Sequence, residues 1–168
     1  MRLQHRHDGC LAVAHQVAIG AVDLAQAGAH HAGQVPETVA ALRAVIAKAD
    51  GVFFVTPEYN SSISGVLKNA LDWVSRPIAT NTMRNKPVAV IGASTGGFGA
   101  IWSQAELRKV LGAMGARVVD GEVAVGHAMD RFDSLGRLND PNLEEQVREV
   151  VWELLVEAAA TTPHSMAA

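Results

Sequence analysis

Apolar positions recur along this chain with two periods. Val39, Leu42, Val45 and Ile46 are spaced as on one helix face. Pro36 sits where a first helical turn accepts proline, so the pattern predicts a helix over about 36–48. After Ala49-Asp50-Gly51, the run Val52 to Val55 is short and wholly apolar, as in a buried strand. Leu67, Ala70, Leu71 and Val74 share one face of a helix expected over 64–75, with Lys68, Asn69 and Asp72 on the other. A second buried strand, VAVIG, covers 88–92. A helix over about 100–114 follows, with Ile101, Leu107 and Leu111 expected inward. Residues 116–125 read as a strand bent at Gly121. Asp140 caps a final helix with Pro141 in its first turn, running to about 159 over Leu143, Val147, Val150, Val151 and Leu154. Nearer the start, VAIGAVDLA (17–25) alternates weakly and reads as a strand.

Strands alternating with helices imply βαβ units, and short apolar strands imply a parallel sheet covered on both faces. Ligands of such sheets bind at the carboxyl ends of the strands. Two unusual loops fall there, TPEYNSS after one strand and GASTGGFG after the next. The second lacks the lysine of a P-loop and the spacing of a dinucleotide fingerprint. Its Gly92-Ala-Ser94-Thr-Gly96 does fit G-x-S-x-G, and Asp120 and His127 follow in the order of a hydrolase triad. The blander alternative is a glycine turn that only lets the helix pack closely. Read without a template, Gly92, Gly96, Gly97 and Gly99 clear side chains where backbone meets something flat or bulky. In the other loop Pro57 stiffens the strand exit, Tyr59 offers an aromatic face, and Asn60 offers a donor and an acceptor. Here the plain alternative is a surface turn with a packed tyrosine.

Composition narrows these options. At 168 residues, 49% of them apolar, the chain can bury one real core. A net charge of −3 lacks the basic excess of a nucleic-acid binder. No apolar run has the length of a membrane span, and the start is too interrupted for a secretory signal. A single cysteine, Cys10, points to a reducing cytoplasm. His5, His7, His30 and His31 have no cysteine or carboxylate framework, so no metal is expected.

TPEYNSSISGVLKNALDWVSRP (56–77) resembles the signature of the NAD(P)H-dependent FMN reductases, which include chromate and quinone reductases and related azoreductases. KPVAVIGASTGGFG (86–99), with Gln104, Leu107 and Arg108 after it, and FDSLGRL (132–138) are similar to further blocks of that family. The resemblance runs from about 36 to 157. It implies an α/β, flavodoxin-like three-layer sandwich with a parallel sheet. It also implies FMN as cofactor and NAD(P)H as co-substrate, with a quinone, azo compound, chromate or flavin as electron acceptor. Pro57, Glu58, Tyr59 and Asn60, with Ser94, Thr95, Gly96 and Gly97, would hold the flavin ring. No catalytic side chain is required, because the cofactor carries the chemistry. A carboxylate beside an anionic reduced ring is costly, so Glu58 is expected to turn away, towards a partner subunit. The family resemblance implies dimers or tetramers. Trp73, a large aromatic among charges, suggests a contact through 58–75. A serine hydrolase at Ser94, or a flavin-free interaction module of the same fold, is the alternative function.

The family's opening strand and its phosphate loop, G-S-x-R-x-x-S-x-N, have no counterpart in MRLQHRHDGCLAVAH. Residues 1–16 therefore read as an atypical segment, 17–160 as the flavodoxin-like domain and 161–168 as a frayed tail. The first fifteen or so residues are expected not to be the domain's ancestral start, and a reading-frame change would account for them. Weak FMN binding follows, because the loop would supply the phosphate contacts.

Overall fold

A computed structural model describes residues 35–161, together with the backbone of 12–14. The strand expected at 17–25 and the histidines at 5, 7, 30 and 31 lie outside the described residues. The elements are β1 (Ala12–Ala14), α1 (Glu37–Lys48), β2 (Val52–Thr56), α2 (Gly65–Val74) and β3 (Pro87–Ala93), then α3 (Ile101–Ala113), β4 (Arg117–Val118), β5 (Ala124–Val125) and α4 (Pro141–Thr161).

Among the described residues these strands form one parallel sheet in the order β1-β2-β3-β4, with β5 also paired to β3. Alternation along the strands sorts the core into two layers. Val52, Phe54, Val88 and Val90 pack with Ile46 of α1, Leu71 and Val74 of α2, and Leu107 and Leu111 of α3. Phe53, Ala89 and Ile91 face the other way, against Val150 and Leu154 of α4. That is a parallel sheet covered on both faces, as the apolar strands imply, and the three-layer α/β sandwich that the family resemblance implies.

The two short strands β4 and β5 are one interrupted strand. Their pairing with β3 continues through Val119 N–H to Val88 O (2.9 Å) and Gly92 N–H to Val123 O (3.0 Å). Between them the chain bends at Asp120, and the amide of Gly121 next to it donates to Glu153 Oε2 at 2.9 Å. Arg108 of α3 braces the bend by donating to the carbonyls of Val119 (2.7 Å) and Gly121. The Asp140 cap is present too, its Oδ1 accepting from the amides of Asn142 (3.0 Å) and Leu143 (3.3 Å).

Several expectations need correction. The start of the chain does contain a strand: Ala12, Val13 and Ala14 pair in parallel with Val52, Phe53 and Phe54. Three small residues carry too little β-propensity to announce themselves. Val45 and Ile101 are exposed. Ile101 is the first residue of α3, directly after the glycine loop. Asn69 is buried, and its Oδ1 makes no hydrogen bond. The buried stripe of α2 is therefore wider than the apolar pattern suggests. Trp73 is half-buried rather than standing free among charges. Its carbonyl accepts from Arg43 Nη2 at 2.7 Å, tying α2 to α1.

Candidate cofactor site at the strand ends

Register brings the two loops together. Thr56 pairs with Gly92, so β2 and β3 release their loops side by side. Ala93 pairs with Val125, which adds the turn after β5 as a third neighbour.

The first loop is a tight hairpin. Tyr59 N–H donates to Ser62 O (2.9 Å) and Ser62 N–H to Tyr59 O (3.0 Å). Asn60 and Ser61 between them are both left-handed, at φ 51 and 58. That geometry suits asparagine and makes a two-residue hairpin. The hairpin presents Tyr59 60% exposed. Ser64 then caps α2, accepting the amide of Leu67 at 3.2 Å.

In the second loop, Ser94 Oγ accepts the amide of Gly96 at 3.1 Å. Ala128 N–H donates to Ser94 O, and His127 N–H to Gly96 O, both at 3.0 Å. The turn 94–97 is thus clamped against 126–128. The His127 ring stands over Gly97, its Nε2 3.3 Å from where a Cβ would be. Within the described residues, the exposed amides of Thr95 and Gly97 donate to no backbone or side-chain acceptor.

The four glycines have different reasons. A Cβ on Gly92 would lie 2.9 Å from the Ala100 Cβ, and one on Gly99 only 2.4 Å from the Ala124 carbonyl carbon. These two serve packing, as the plain reading held. Gly96 is open, with only Ser94 Oγ at 3.6 Å. Gly96 therefore leaves bare backbone at the end of β3, while Gly97 makes room for the His127 ring.

Glu58 does not reach out towards a partner. Its Oε2 accepts the amides of Trp102 (3.0 Å) and Ser103 (3.2 Å), the first turn of α3 in the same chain. The expectation missed this because the two segments are far apart in sequence and Glu58 fits no local capping pattern. Phe98 and Trp102 extend the aromatic surface beside the loop, with ring centroids 5.0 Å apart.

A nucleophile elbow holds its serine at the tip of a strained turn. Ser94 has no positive φ; the left-handed residues nearby are Gly99, Ala100 and His127. Its Oγ is engaged by Gly96, and among the described residues no hydrogen bond links Ser94, Asp120 and His127. The triad order was a coincidence of sequence, and the hydrolase alternative falls.

The profile of the family described as NADPH-dependent FMN reductase matches residues 9–130, most of the chain and all three loops. The chain belongs to that FMN reductase family. An NAD(P)H-dependent FMN reductase of Pseudomonas aeruginosa is 41% identical over 115 residues, covering 68% of this chain and 62% of that protein. An NADPH:quinone oxidoreductase of Arabidopsis thaliana is 38% identical over 125 residues, covering 73% and 62%. Among solved structures, the flavoenzyme NAD(P)H:(acceptor) oxidoreductase FerB from Paracoccus denitrificans superposes with a TM-score of 0.63 at 32% identity, covering 75% of this chain and 68% of that one. This FMN reductase family member spans about three-fifths of the length of the first curated relatives it matches. No helix among its described residues is long and apolar enough to cross a membrane, and no cluster of His, Cys, Asp and Glu there could hold a metal.

Proposed function

We propose that this chain is an FMN-dependent oxidoreductase that takes electrons from NAD(P)H and passes them to a quinone, with azo compounds, chromate or free flavin as further acceptors. The observation that carries the reading is the pair of adjacent loops. An exposed aromatic in a hairpin leaves β2 beside a glycine turn leaving β3, whose Thr95 and Gly97 amides have no partner among the described residues. That donor set fits the polar edge of a flavin ring, and Gly96 leaves room for a flat group. Bound FMN supplies the hydride chemistry itself. The residues assigned to binding are Pro57, Tyr59 and Asn60 with Ser94, Thr95, Gly96 and Gly97. The Thr95 and Gly97 amides of the second turn would donate to the polar edge of bound FMN and favour negative charge there. Quinone reductases of Burkholderia and Arabidopsis thaliana among the relatives favour a quinone as acceptor.

A homodimer or homotetramer through 58–75 belongs to this reading, supported by the exposed Tyr59 and Val66. Trp73, being half-buried, contributes less than its sequence position suggested. A single cysteine fits a cytoplasmic setting.

Titration with FMN tests the assignment. Flavin fluorescence is quenched and the visible spectrum perturbed on binding. Tyr59→Ala and Asn60→Ala weaken binding, while Ser94→Ala spares most of it because the amide donors remain. NAD(P)H oxidation that requires both FMN and a quinone completes the assignment. A wild-type protein that leaves millimolar FMN unquenched rejects it.

A further inference from the structure

Register between β2 and β3 ends at Thr56 and Gly92. Beyond it, the described hydrogen bonds joining the 57–64 loop to 94–103 are those of one side chain, Glu58. Helix α3 begins after Ala100, which is left-handed at φ 64 and supplies no side-chain cap. First-turn amides of such a helix are orphan donors, and its amino end carries partial positive charge. The Glu58 carboxylate satisfies both needs from 44 residues away. Two further bonds close the corner: Ser103 Oγ donates to Ala100 O at 3.1 Å, and Gln104 Nε2 to Gly99 O at 3.3 Å. On its far side the 94–97 turn is held by 126–128.

We propose that Glu58 is a positioning residue, which sets the separation of the two ring-binding loops through the amino end of α3 and does not itself bind the cofactor. The proposal rests on the flavin reading above. A charged group committed to two helix amides fixes the hairpin carrying Tyr59 and Asn60 relative to the turn carrying Thr95 and Gly97. A cleft held at one width spares a flat ligand the cost of ordering its walls.

Glu58→Ala, Glu58→Gln and a remote cap variant, Asp140→Ala, test this together. Each is titrated with FMN by fluorescence quenching and followed by amide exchange. Glu58→Ala is expected to lose protection at the Trp102 and Ser103 amides and to weaken FMN binding by roughly tenfold or more. Glu58→Gln keeps an acceptor oxygen and restores most of both. Asp140→Ala lowers the melting temperature without changing FMN affinity. Unchanged FMN affinity in Glu58→Ala, with protection lost, would overturn the proposal and leave Glu58 as a helix cap only. Glu58→Gln that binds as badly as Glu58→Ala while Trp102 and Ser103 stay protected would also overturn it, making the carboxylate a direct cofactor contact. If wild-type protein does not quench FMN, the flavin reading falls and the proposal with it. The exchange data then still report whether the cap exists.

Discussion

Two glycines three residues apart, Gly96 and Gly99, ought to answer very differently to the same methyl group. At Gly99 an added Cβ meets the Ala124 backbone and φ is +60. Left-handed strain and overpacking together make Gly99→Ala cost about 2–4 kcal/mol, read from denaturant unfolding. Gly92→Ala is crowded by Ala100 and Gln104 and is costly as well. Gly96→Ala has open space, so its stability should stay within about 0.5 kcal/mol of wild type while FMN affinity falls. Asp133 gives a pH prediction at the same scale. The Arg137 amide and guanidinium hold its carboxyl below the usual carboxylate range. The 132–138 loop is therefore supported above the unfolded-state value of about 3.9 and loses that support as pH falls through the folded value. Chemical shifts of the Leu135 and Arg137 amides, which donate to Asp133 Oδ1, should follow that titration, and Asp133→Asn should abolish it.

Helices are held to the sheet by a few polar bolts as well as by apolar stripes. Arg108→Met keeps the stem but removes the donors to the carbonyls of Val119 and Gly121. It should cost about 1–3 kcal/mol by thermal unfolding, with the loss centred on the bent strand between β4 and β5. Elements of this kind mark how far the sequence can be read. Periodicity gave α1, β2, α2, β3, α3 and α4 to within a residue or two, because each carries a strong apolar pattern and a stop or cap. It gave the bend of the last strand to within one residue, at Gly121 where the chain bends at Asp120. It missed β1, whose Ala-Val-Ala has no pattern to detect. It placed Asn69 on the wrong face, since burial of a polar side chain is decided by neighbours and not by spacing. The two site loops were legible as unusual residues at strand ends. Glu58 was not, because its partners are amides, and amides leave no mark in a sequence.

Taken whole, the molecule brings three loops to the carboxyl ends of a parallel sheet, while no G-S-x-R-x-x-S-x-N pattern occurs in its sequence. Charge-assisted hydrogen bonds are worth about 1.5–3 kcal/mol each, so losing two or three of them weakens FMN roughly a thousandfold or more. The protein should purify colourless and turn yellow only when FMN is added in excess; stoichiometric flavin in the purified protein would contradict this. Light scattering at micromolar concentration should return a dimer or tetramer, and a monomer would argue against a contact through 58–75. One consequence of the sheet concerns time rather than energy. β3 pairs with β2 on one side and with β4 and β5 on the other, always in parallel. Every such pairing must wait for a crossover of the chain to close, and contacts that distant in sequence slow folding. β3 cannot be half right: a nucleus that includes it commits both neighbours. Val90→Ala should therefore slow refolding more than it speeds unfolding, whereas Leu154→Ala should do the reverse. Until β3 is seated, the apolar runs around it stay open to other chains, and the yield of native protein becomes a race between two rates.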